Sequence, residues 1–450
     1  MLFKPRLNNL PSPKVELPYS VELSHFESYT LGMNNEGYTQ PARPKLRAIK
    51  TEPHSERNQP GILISDPFGI STKTVFIPES LTLLLTLMDG ARDTRTLLTG
   101  YQLRSGRFLD TSTLENLVSD LDEALYLEGE RFTKAYQRAL DDYRSAPSRP
   151  PILAGKCYPS DKEELESFLA RYFDQVEKEN PEQPDAGDVK GLISPHIDFP
   201  RGGVTYARVW SKAKNAARRS DLIIVLGTDH NAENGKITLT RQNYETPWGV
   251  LPTDKDSVEK LADAIGEDAF DCELNHRNEH SVEAALIWLH YLLEGKSHPV
   301  LPVICGSFAP FVENDEDPMN ISYIASTVAA LKNIAEARKT LIVAAADLAH
   351  QGPAFGDPFP VDLLTKVEMA KRDKELIDVT SHGNAADFLT VIRNERDSRH
   401  ICGVPPIYVA LSALSGVEGE SVSYEQCPAS EDGTSFVSIC GLLLHTSITG

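Results

Sequence analysis

Short apolar runs alternate with amphipathic stretches over the last two thirds of the chain. Four of the runs have the length of buried strands: "VKGLIS", "DLIIVLG", "HPVLPVICG" and "KTLIVAAAD". Between them lie stretches with the length and composition of helices, among them "YARVWSKAKNAARR", "SVEAALIWLHYLL" and "SYIASTVAALKNIAEAR". Strands that alternate with helices are typical of α/β folds. The pattern therefore predicts a largely parallel central sheet flanked by helices.

The beginning of the chain has a different pattern. Residues 1–60 carry eight prolines and little periodicity, which predicts an extended arm. From residue 61, "GILISDPFGISTKTVFIP" predicts two short strands about a turn, and "ESLTLLLTLMDG" predicts a helix that ends at Gly90. In "STLENLVSDLDEALYL" the apolar residues fall on one helical face, with Ser112 as the predicted cap.

These changes in pattern predict the domain boundaries. Residues 61–145 are expected to form a small α+β domain, and residues 152–450 the α/β domain. The stretch 146–151 is rich in proline and serine and is the predicted linker. A chain of 450 residues exceeds the size at which one hydrophobic core usually stops growing, which agrees with two domains.

Composition and charge exclude several classes of protein. The formal net charge of −20 argues against general binding of a nucleic-acid backbone. The N-terminal stretch has no apolar core of a secretion signal, and nowhere do about 18 apolar residues run together, so we expect a cytoplasmic protein without a membrane partner. The six cysteines are scattered singly, which argues against disulfides and zinc ribbons.

Histidines follow three of the four apolar runs within a few residues. They are His196 in "GLISPHIDF", His230 in "VLGTDHN" and His350 in "AAADLAHQG". A hydrogen-bonded loop histidine would explain any one of them. Because ligands of open α/β sheets bind at the carboxyl ends of the strands, the joint occurrence favours imidazoles that converge on one crevice.

A cysteine supplies a different functional group. Cys402 in "RHICGVPPIYVALSAL" precedes two prolines that suit the first turn of a helix. The positive end of a helix lowers the pKa of a nearby thiol and favours the thiolate, which binds a metal or attacks an electrophile. The alternative is a buried small apolar residue.

Two further stretches each leave two interpretations open. In "NHRNEHSVEAALIWLHYLL", His276 and His280 are four residues apart but lack the glutamate of the zincin motif. Either Glu279 and Glu283 are solvated helix residues with Asn278 as a cap, or Glu279 and His280 face the crevice for proton transfer or ligand support. In "PRGG", Arg201 either lies in a plain turn or binds an anionic substrate through its guanidinium.

Several motifs together, in the same order, resemble the Memo-like family, whose bacterial and archaeal members are called AmmeMemoRadiSam system protein B. These are "AGKCYPSDKEELESFL", "SPHIDFPRGGVTYARVW", "LGTDHN", "NEHSVEAALIWL", "DLAHQGPAFGD" and "ICGVPPIYVALSAL", within residues 152–448. The resemblance implies a fold similar to that of class III extradiol dioxygenases. It also implies a metal held by His196, His230 and Cys402, with His350 at the same pocket.

The resemblance leads to specific expectations for the site. The metal would be iron or copper, with zinc as a possibility that favours hydrolysis. His350, His280 and Glu279 would have catalytic roles. Around the metal, substrate binding or support of the ligands is expected from Asp198, Arg201, Asp229 and Asp347. Asp229 and Asn231, which flank His230, and the "PRGG" stretch differ from the animal Memo pattern, so the rim of the pocket and its substrate are expected to differ.

The small N-terminal domain resembles winged-helix domains of the PqqD type, which bind peptides. Residues 79–145 contain 8 basic and 12 acidic side chains, a net charge of 8 − 12 = −4, which favours a peptide or protein partner over DNA. The family name implies AMMECR1-like and radical SAM proteins as partners. We therefore expect a metal-dependent redox enzyme acting on a small molecule or peptide. The alternatives are a non-catalytic peptide-binding or assembly component, or a zinc-dependent hydrolase.

Overall fold

A computed structural model describes residues 20–21, 41–179, 188–231 and 235–447. The chain divides into two compact units, Met1–Asp142 and Tyr143–Gly450. Most of the predicted arm, residues 1–19 and 22–40, lies outside the described residues. Residues 50–56 and 59–60, which were also predicted to belong to the arm, instead form strand structure.

The N-terminal unit contains a four-stranded sheet. Its strands are β1 (Ser20–Val21), β2 (Lys50–Glu56), β3 (Gln59–Ser65) and β4 (Thr74–Pro78), in the order β1-β4-β3-β2. A 3₁₀ turn (Glu79–Leu81) leads into the helices α1 (Thr82–Leu87), α2 (Thr94–Ser105), α3 (Thr111–Glu123) and α4 (Glu130–Ser145). The division between the two units falls within α4, after Asp142. The predicted apolar face of α3 is buried. Its cap is Asp110, which accepts the N–H of Thr113, rather than the predicted Ser112.

The C-terminal unit is a layered α/β structure around a mixed sheet. The strands are β5 (Val189–Ser194), β6 (Leu222–Thr228), β7 (Ile237–Leu239), β10 (Val300–Cys305), β11 (Thr340–Ala345), β12 (His350–Gln351), β13 (Val417–Pro428) and β14 (Phe436–Thr446). Their order in the sheet is β12-β14-β5-β11-β6-β10-β7, and β13 pairs with β14. A separate hairpin consists of β8 (Tyr244–Thr246) and β9 (Gly249–Leu251).

The four predicted apolar runs are the four central strands β5, β11, β6 and β10, which are parallel to one another. Strands β14 and β7 pair antiparallel with the two outer members of this group. The prediction of a largely parallel central sheet flanked by helices is confirmed. Continuous apolar runs are expected there, because a parallel strand covered by helices is buried on both faces.

Helices cover both faces of this sheet. Leu222, Ile224 and Leu226 of β6 belong to one apolar core, and Ile223 and Val225 belong to the other. The first core is completed by α7 (Lys255–Ile265), α11 (Ser322–Ala337), α12 (Leu363–Ser381), α13 (Ala385–Asn394) and α14 (Val404–Ala413). The second is completed by α5 (Lys162–Glu179), α6 (Phe199–Arg219) and α9 (Ser281–Leu292).

Short helices complete the unit. They are α8 (Asn275–Asn278), α10 (Ala309–Glu313) and 3₁₀ turns at Glu267–Phe270, Pro318–Asn320 and Pro353–Phe355. No helix among the described residues has both the length and the apolar character needed to cross a membrane.

The stretch predicted as a linker, residues 146–151, belongs to the C-terminal unit and is bonded to it. Arg149 is fully buried, and its N–H donates to the carbonyl of Asn243 at 2.7 Å. The hydroxyl of Ser148 donates to Glu245 at 2.8 Å. The stretch was predicted to be a linker because it is rich in proline and serine. Its Arg149 instead forms a buried ion pair with the carboxylate of Glu283. The structure therefore divides the chain earlier, after Asp142.

Candidate metal centre

Three polar side chains occupy the same position relative to three neighbouring strands. His196, His230 and Asp347 each come two residues after the end of their strand, β5, β6 and β11 respectively. These strands are adjacent and parallel in the order β5-β11-β6, so their carboxyl ends lie along one edge of the sheet. The parallel topology thus brings together residues that are far apart in the sequence.

Cys402 reaches the same edge from the loop before α14. As predicted, the loop is followed by a helix whose first turn contains proline. The next residue, Gly403, donates its N–H to the carbonyl of Asp347 at 3.1 Å, and a Cβ at this glycine would lie 2.6 Å from that oxygen. Only glycine permits this close approach of the two backbones. The contact holds the Cys402 loop against the end of β11.

Ligand atoms of His196, His230 and Cys402 lie within 4.8 Å of one another. The Nε2 atom of His196 is 3.2 Å from the sulfur of Cys402, and the rings of His196 and His230 have centroids 5.2 Å apart. Two imidazoles and a thiolate are the donor types that bind iron, copper and zinc. The chemistry and proximity of these three groups therefore fit a metal ion.

The backbone around β11 sets the orientation of His196. Its Nδ1 atom is 3.0 Å from the carbonyl oxygen of Ala345, so that nitrogen carries the proton and Nε2 faces Cys402. The carboxylate of Asp347 accepts the N–H of His196 at 2.8 Å and the N–H of Ile197 at 3.3 Å. Asp347 thus holds the backbone of this loop, and its role in substrate binding or ligand support stays a prediction.

Glu279 holds His230 in a corresponding way. Its carboxylate lies 2.9 Å from Nδ1 of His230 and also accepts the N–H groups of His230, His280 and Ser281 at 3.2, 2.8 and 2.8 Å. With Nδ1 engaged, Nε2 of His230 is the atom free to bind a metal. The interpretation of Glu279 and Glu283 as solvated helix residues is wrong, because both side chains are buried, and Glu279 faces the crevice.

A second group that fits a metal consists of His230, Glu279 and His280, whose ligand atoms also lie within 4.8 Å of one another. The carboxylate in this group already accepts four N–H donors, so its oxygens are engaged in supporting the backbone and His230. We therefore assign Glu279 to the orientation of His230 rather than to a second metal.

The two predicted proton-transfer histidines lie at different distances from the ligands. The ring of His280 stacks on that of His230, with centroids 4.9 Å apart, and is 5.3 Å from that of His196. His350 lies in the short edge strand β12, packs against Phe355 and belongs to neither ligand group of the described residues. The catalytic roles of both histidines stay predictions.

The two predicted residues on α6 contact each other. Asp198 caps the helix by accepting the N–H of Arg201 at 3.2 Å, and its other oxygen accepts from the guanidinium of Arg201 at 2.6 Å. Arg201 also donates to the carbonyl of Pro428 at 2.9 Å. A guanidinium engaged in this way is partly neutralised, which weakens the argument that it binds an anionic substrate.

Asp229 supports the loop that carries His230. Its carboxylate accepts the N–H of Asn231 at 3.0 Å and the side-chain amide of Asn275 at 2.9 Å. Burial raises its pKa to about 6. The partner Asn275 was not predicted as a site residue, since an isolated asparagine in a helical stretch carries no signal for this contact.

His276, the first histidine of the "HxxxH" spacing, does not reach the centre. Its ring atoms lie 2.7 Å from the hydroxyl of Tyr244 and 3.1 Å from the carbonyl of Thr238. Burial lowers its pKa to about 3, so it is neutral and structural. The residue Asn278 is inside the short helix α8 rather than at its cap.

Charges at the centre stabilise one another. Burial alone would raise the pKa of the Cys402 thiol, but His196 and His350 outweigh it and lower the pKa to about 5. Burial also disfavours the charged form of His196, yet Cys402 and Asp347 raise its pKa to about 9. Without metal, the centre therefore contains a thiolate paired with an imidazolium at neutral pH.

This charge state predicts a selective reactivity of the metal-free protein. Iodoacetamide should modify Cys402 at a rate that rises as the pH increases through about 5 and is level at neutral pH, because the thiolate is the nucleophile. Cys305 and Cys440 are buried, and burial raises the pKa of both thiols, so they serve as internal controls. Peptide mass spectrometry would measure the three sites. Equal modification of all three would contradict the assignment.

Fold and site together define a class of protein: an α/β protein with a His–His–Cys centre at the carboxyl edge of a largely parallel sheet. The family model described as "Memo-like protein" matches residues 149–443, so the chain belongs to the Memo-like family. This match begins at Arg149, within the stretch predicted as a linker.

Curated relatives agree with this assignment. A MEMO1 family protein from Aquifex aeolicus (strain VF5) is 26% identical over 386 residues, which cover 85% of this chain and 95% of that protein. A MEMO1 family protein from Nitrosopumilus maritimus (strain SCM1) is 25% identical and covers 61% of this chain and 91% of its own length. The first match covers more of the chain than the C-terminal unit contains, and therefore includes part of the N-terminal unit.

Proposed function

We propose that this protein is a non-haem metal-dependent redox enzyme whose metal is held by His196, His230 and Cys402. The observation that carries the proposal is the convergence of these three ligand atoms within 4.8 Å. Three protein ligands leave coordination positions for a substrate, which is the arrangement of catalytic rather than purely structural metal sites.

The donor set supports iron or copper as the metal. A thiolate is a soft ligand that suits copper, iron and zinc, and differs from the carboxylate of the common iron triad. When bound, iron or copper would supply electron transfer and polarise a substrate. Zinc would supply only the polarisation and would make the protein a hydrolase instead.

The residues around the ligands have separate tasks in this proposal. Glu279 and the Ala345 carbonyl each accept a hydrogen bond from Nδ1 of a candidate ligand histidine, which directs both Nε2 atoms into the pocket. Burial lowers the pKa of His280 to about 4, so its imidazole is neutral and only weakly basic at pH 7. Its proposed task is to accept a hydrogen bond from a substrate and to relay the proton. His350 is proposed as a second proton-transfer group.

The substrate is proposed to be a small molecule or a peptide. The acidic N-terminal unit, proposed to be PqqD-like, would present a peptide. AMMECR1-like and radical SAM proteins are the proposed partners. The Aquifex match across both units supports the view that the two units work together in this branch of the family.

Anaerobic reconstitution tests the proposal. Protein freed of metal would be loaded separately with Fe²⁺, Cu⁺ and Zn²⁺, and O₂ consumption would be followed with a reductant present. We expect about one metal per chain, and O₂ consumption only with iron or copper. The His196→Ala variant is the matched control and should bind none of the three metals tightly. If the protein bound only zinc, at one ion per chain, and showed no redox activity, the result would support a zinc-dependent hydrolase. The absence of any binding would favour the non-catalytic assembly component.

A further inference from the structure

We infer that Arg149 is a positioning residue for the metal centre, which it supports through the turn that carries Glu279 and His280. This inference rests on the proposed function. Arg149 belongs to none of the described helices or strands, and it was predicted to be part of a linker. Its side chain is nevertheless fully buried within the C-terminal unit.

The guanidinium of Arg149 binds both ends of one turn. Its Nε donates to the carbonyl of His276 at 2.8 Å, and its Nη2 donates to the carbonyl of Glu279 at 2.7 Å. His276 lies in the four-residue helix α8, and Glu279 follows the last residue of that helix, before α9 begins. The two carbonyls therefore lie near the two ends of a single helical turn. So short a helix has little stability of its own. The two hydrogen bonds from Arg149 therefore fix the position of this turn.

A buried carboxylate fixes the guanidinium in turn. Glu283, on α9, forms an ion pair with Nη1 of Arg149. Its two oxygens also accept the N–H groups of Ile152 and Leu153, both at 2.9 Å, and the hydroxyl of Tyr158 at 2.6 Å. Because all of these polar groups are satisfied, the burial of the charges is compensated and the geometry is held in one arrangement.

The connection to the metal passes through a single residue. The carbonyl of Glu279 accepts from Arg149, while its carboxylate accepts from Nδ1 and N of His230. A shift of the turn would therefore move the carboxylate that orients a predicted ligand. Groups that orient ligands typically change metal affinity by about 10- to 100-fold when they are altered.

Arginine suits this position better than lysine does. The planar guanidinium offers donors in fixed directions and binds two carbonyls and a carboxylate at once. A lysine ammonium would keep the charge opposite Glu283 but could not reach both carbonyls in the same geometry. Arg149→Lys thus separates the positioning of the turn from the presence of a positive charge.

The matched control is Tyr158→Phe. It removes one hydrogen bond to Glu283 from the same buried network, yet Tyr158 has no contact with the Glu279 turn among those described. A purely structural network would lose stability in both variants and keep the metal affinity of the folded protein. A positioning role lowers the affinity in Arg149→Lys alone.

The test is a Co²⁺ titration of the metal-free full-length protein, competed with a chelator and followed by the thiolate-to-cobalt absorption, with the melting temperature measured alongside. We expect Arg149→Lys to weaken Co²⁺ binding about 10- to 100-fold and to alter the spectrum, and Tyr158→Phe to stay within about twofold of the wild type. Unchanged affinity in Arg149→Lys would overturn the inference, as would equal losses in the two variants.

A second variant keeps the test decisive if Arg149→Lys does not fold. Glu283→Gln retains the shape of the side chain but removes the charge that holds the guanidinium, and it should weaken Co²⁺ binding by about tenfold or more. Wild-type affinity in that variant would overturn the inference. If the wild-type protein itself binds no Co²⁺ through a thiolate, the proposed function fails, a result distinct from either variant outcome.

Discussion

Replacing Cys402 by serine is expected to empty the metal centre while leaving the fold intact. The hydroxyl is nearly the same size as the thiol but is a poor ligand for iron or copper. Metal content should fall from about one to less than about 0.1 equivalents per chain. The melting temperature of the metal-free protein should change by only about a few degrees, because Cys402 is half-buried and lies in a loop. Elemental analysis and calorimetry measure the two quantities.

Cys305→Ser is the matched control, with the opposite expectation. Cys305 ends the central strand β10 and is fully buried in an apolar core. A hydroxyl there costs about 1–3 kcal/mol of stability but leaves the metal ligands in place. If Cys402→Ser kept its full metal content and lost as much stability as Cys305→Ser, the result would show that Cys402 is a core residue and not a metal ligand.

Glu279→Gln is expected to have the second-largest effect, on both stability and metal affinity. The carboxylate is buried, and His230 and His280 hold its pKa well below the ordinary value despite the cost of burial. An amide would place its NH₂ group against one of the four N–H donors, so at least one contact is lost and the charge pair is broken. We expect about 3–5 kcal/mol of destabilisation in urea unfolding of the metal-free protein. Co²⁺ affinity should fall by about 10- to 100-fold.

Asp229→Asn distinguishes this effect from the general loss of a buried acid. Asp229 is nearly as buried as Glu279, but burial already disfavours its charge, and its side chain contacts Asn231 and Asn275 rather than an imidazole. Asp229→Asn should lose one of the two hydrogen bonds of this side chain and therefore about 1–3 kcal/mol of stability. Its Co²⁺ affinity should change by less than about tenfold, because the side chain contacts no imidazole. If Asp229→Asn lost as much stability and Co²⁺ affinity as Glu279→Gln, any buried acid at this edge of the sheet would have the same importance as Glu279.

Much of the C-terminal fold was predictable because its central strands are buried on both faces. Such strands appear in the sequence as uninterrupted apolar runs, and all four runs are strands of the parallel group. The order of the strands was not predictable. It depends on which helix covers which face, and on the pairing of β14 with β5, whose partners are more than 200 residues apart in the sequence.

The convergence of His196 and His230 was predictable for a related reason. Parallel strands end at a common edge, so residues that follow such strands are expected on the same side of the sheet. The order β5-β11-β6 then places His196 and His230 on either side of the end of β11. The adjacency of Cys402 was expected from its helix start and from the family resemblance. It required the contact between Gly403 and Asp347, which joins two loops at a distance that permits no side chain.

The linker and the environment of Glu279 show where local patterns fail. Proline and serine near Arg149 are typical of a linker, because composition describes the preferences of an isolated chain. The buried ion pair with Glu283 overrides those preferences, since the two residues are 134 positions apart in the sequence. The same limitation left two interpretations of Glu279 open, because its partner His230 lies on another strand.

The sequence by itself determined the class of fold, the four central strands and the three candidate ligands. The fold class and the strands follow from local periodicity, His196 and His230 from the common edge of parallel strands, and Cys402 from its helix start and the family resemblance. Only the tertiary structure decided which groups contact each candidate ligand: the Ala345 carbonyl and Asp347 contact His196, and Glu279 contacts His230. The physical reason is that a hydrogen bond depends on positions to within a few tenths of an ångström. Such positions are set by the packing of segments distant in sequence.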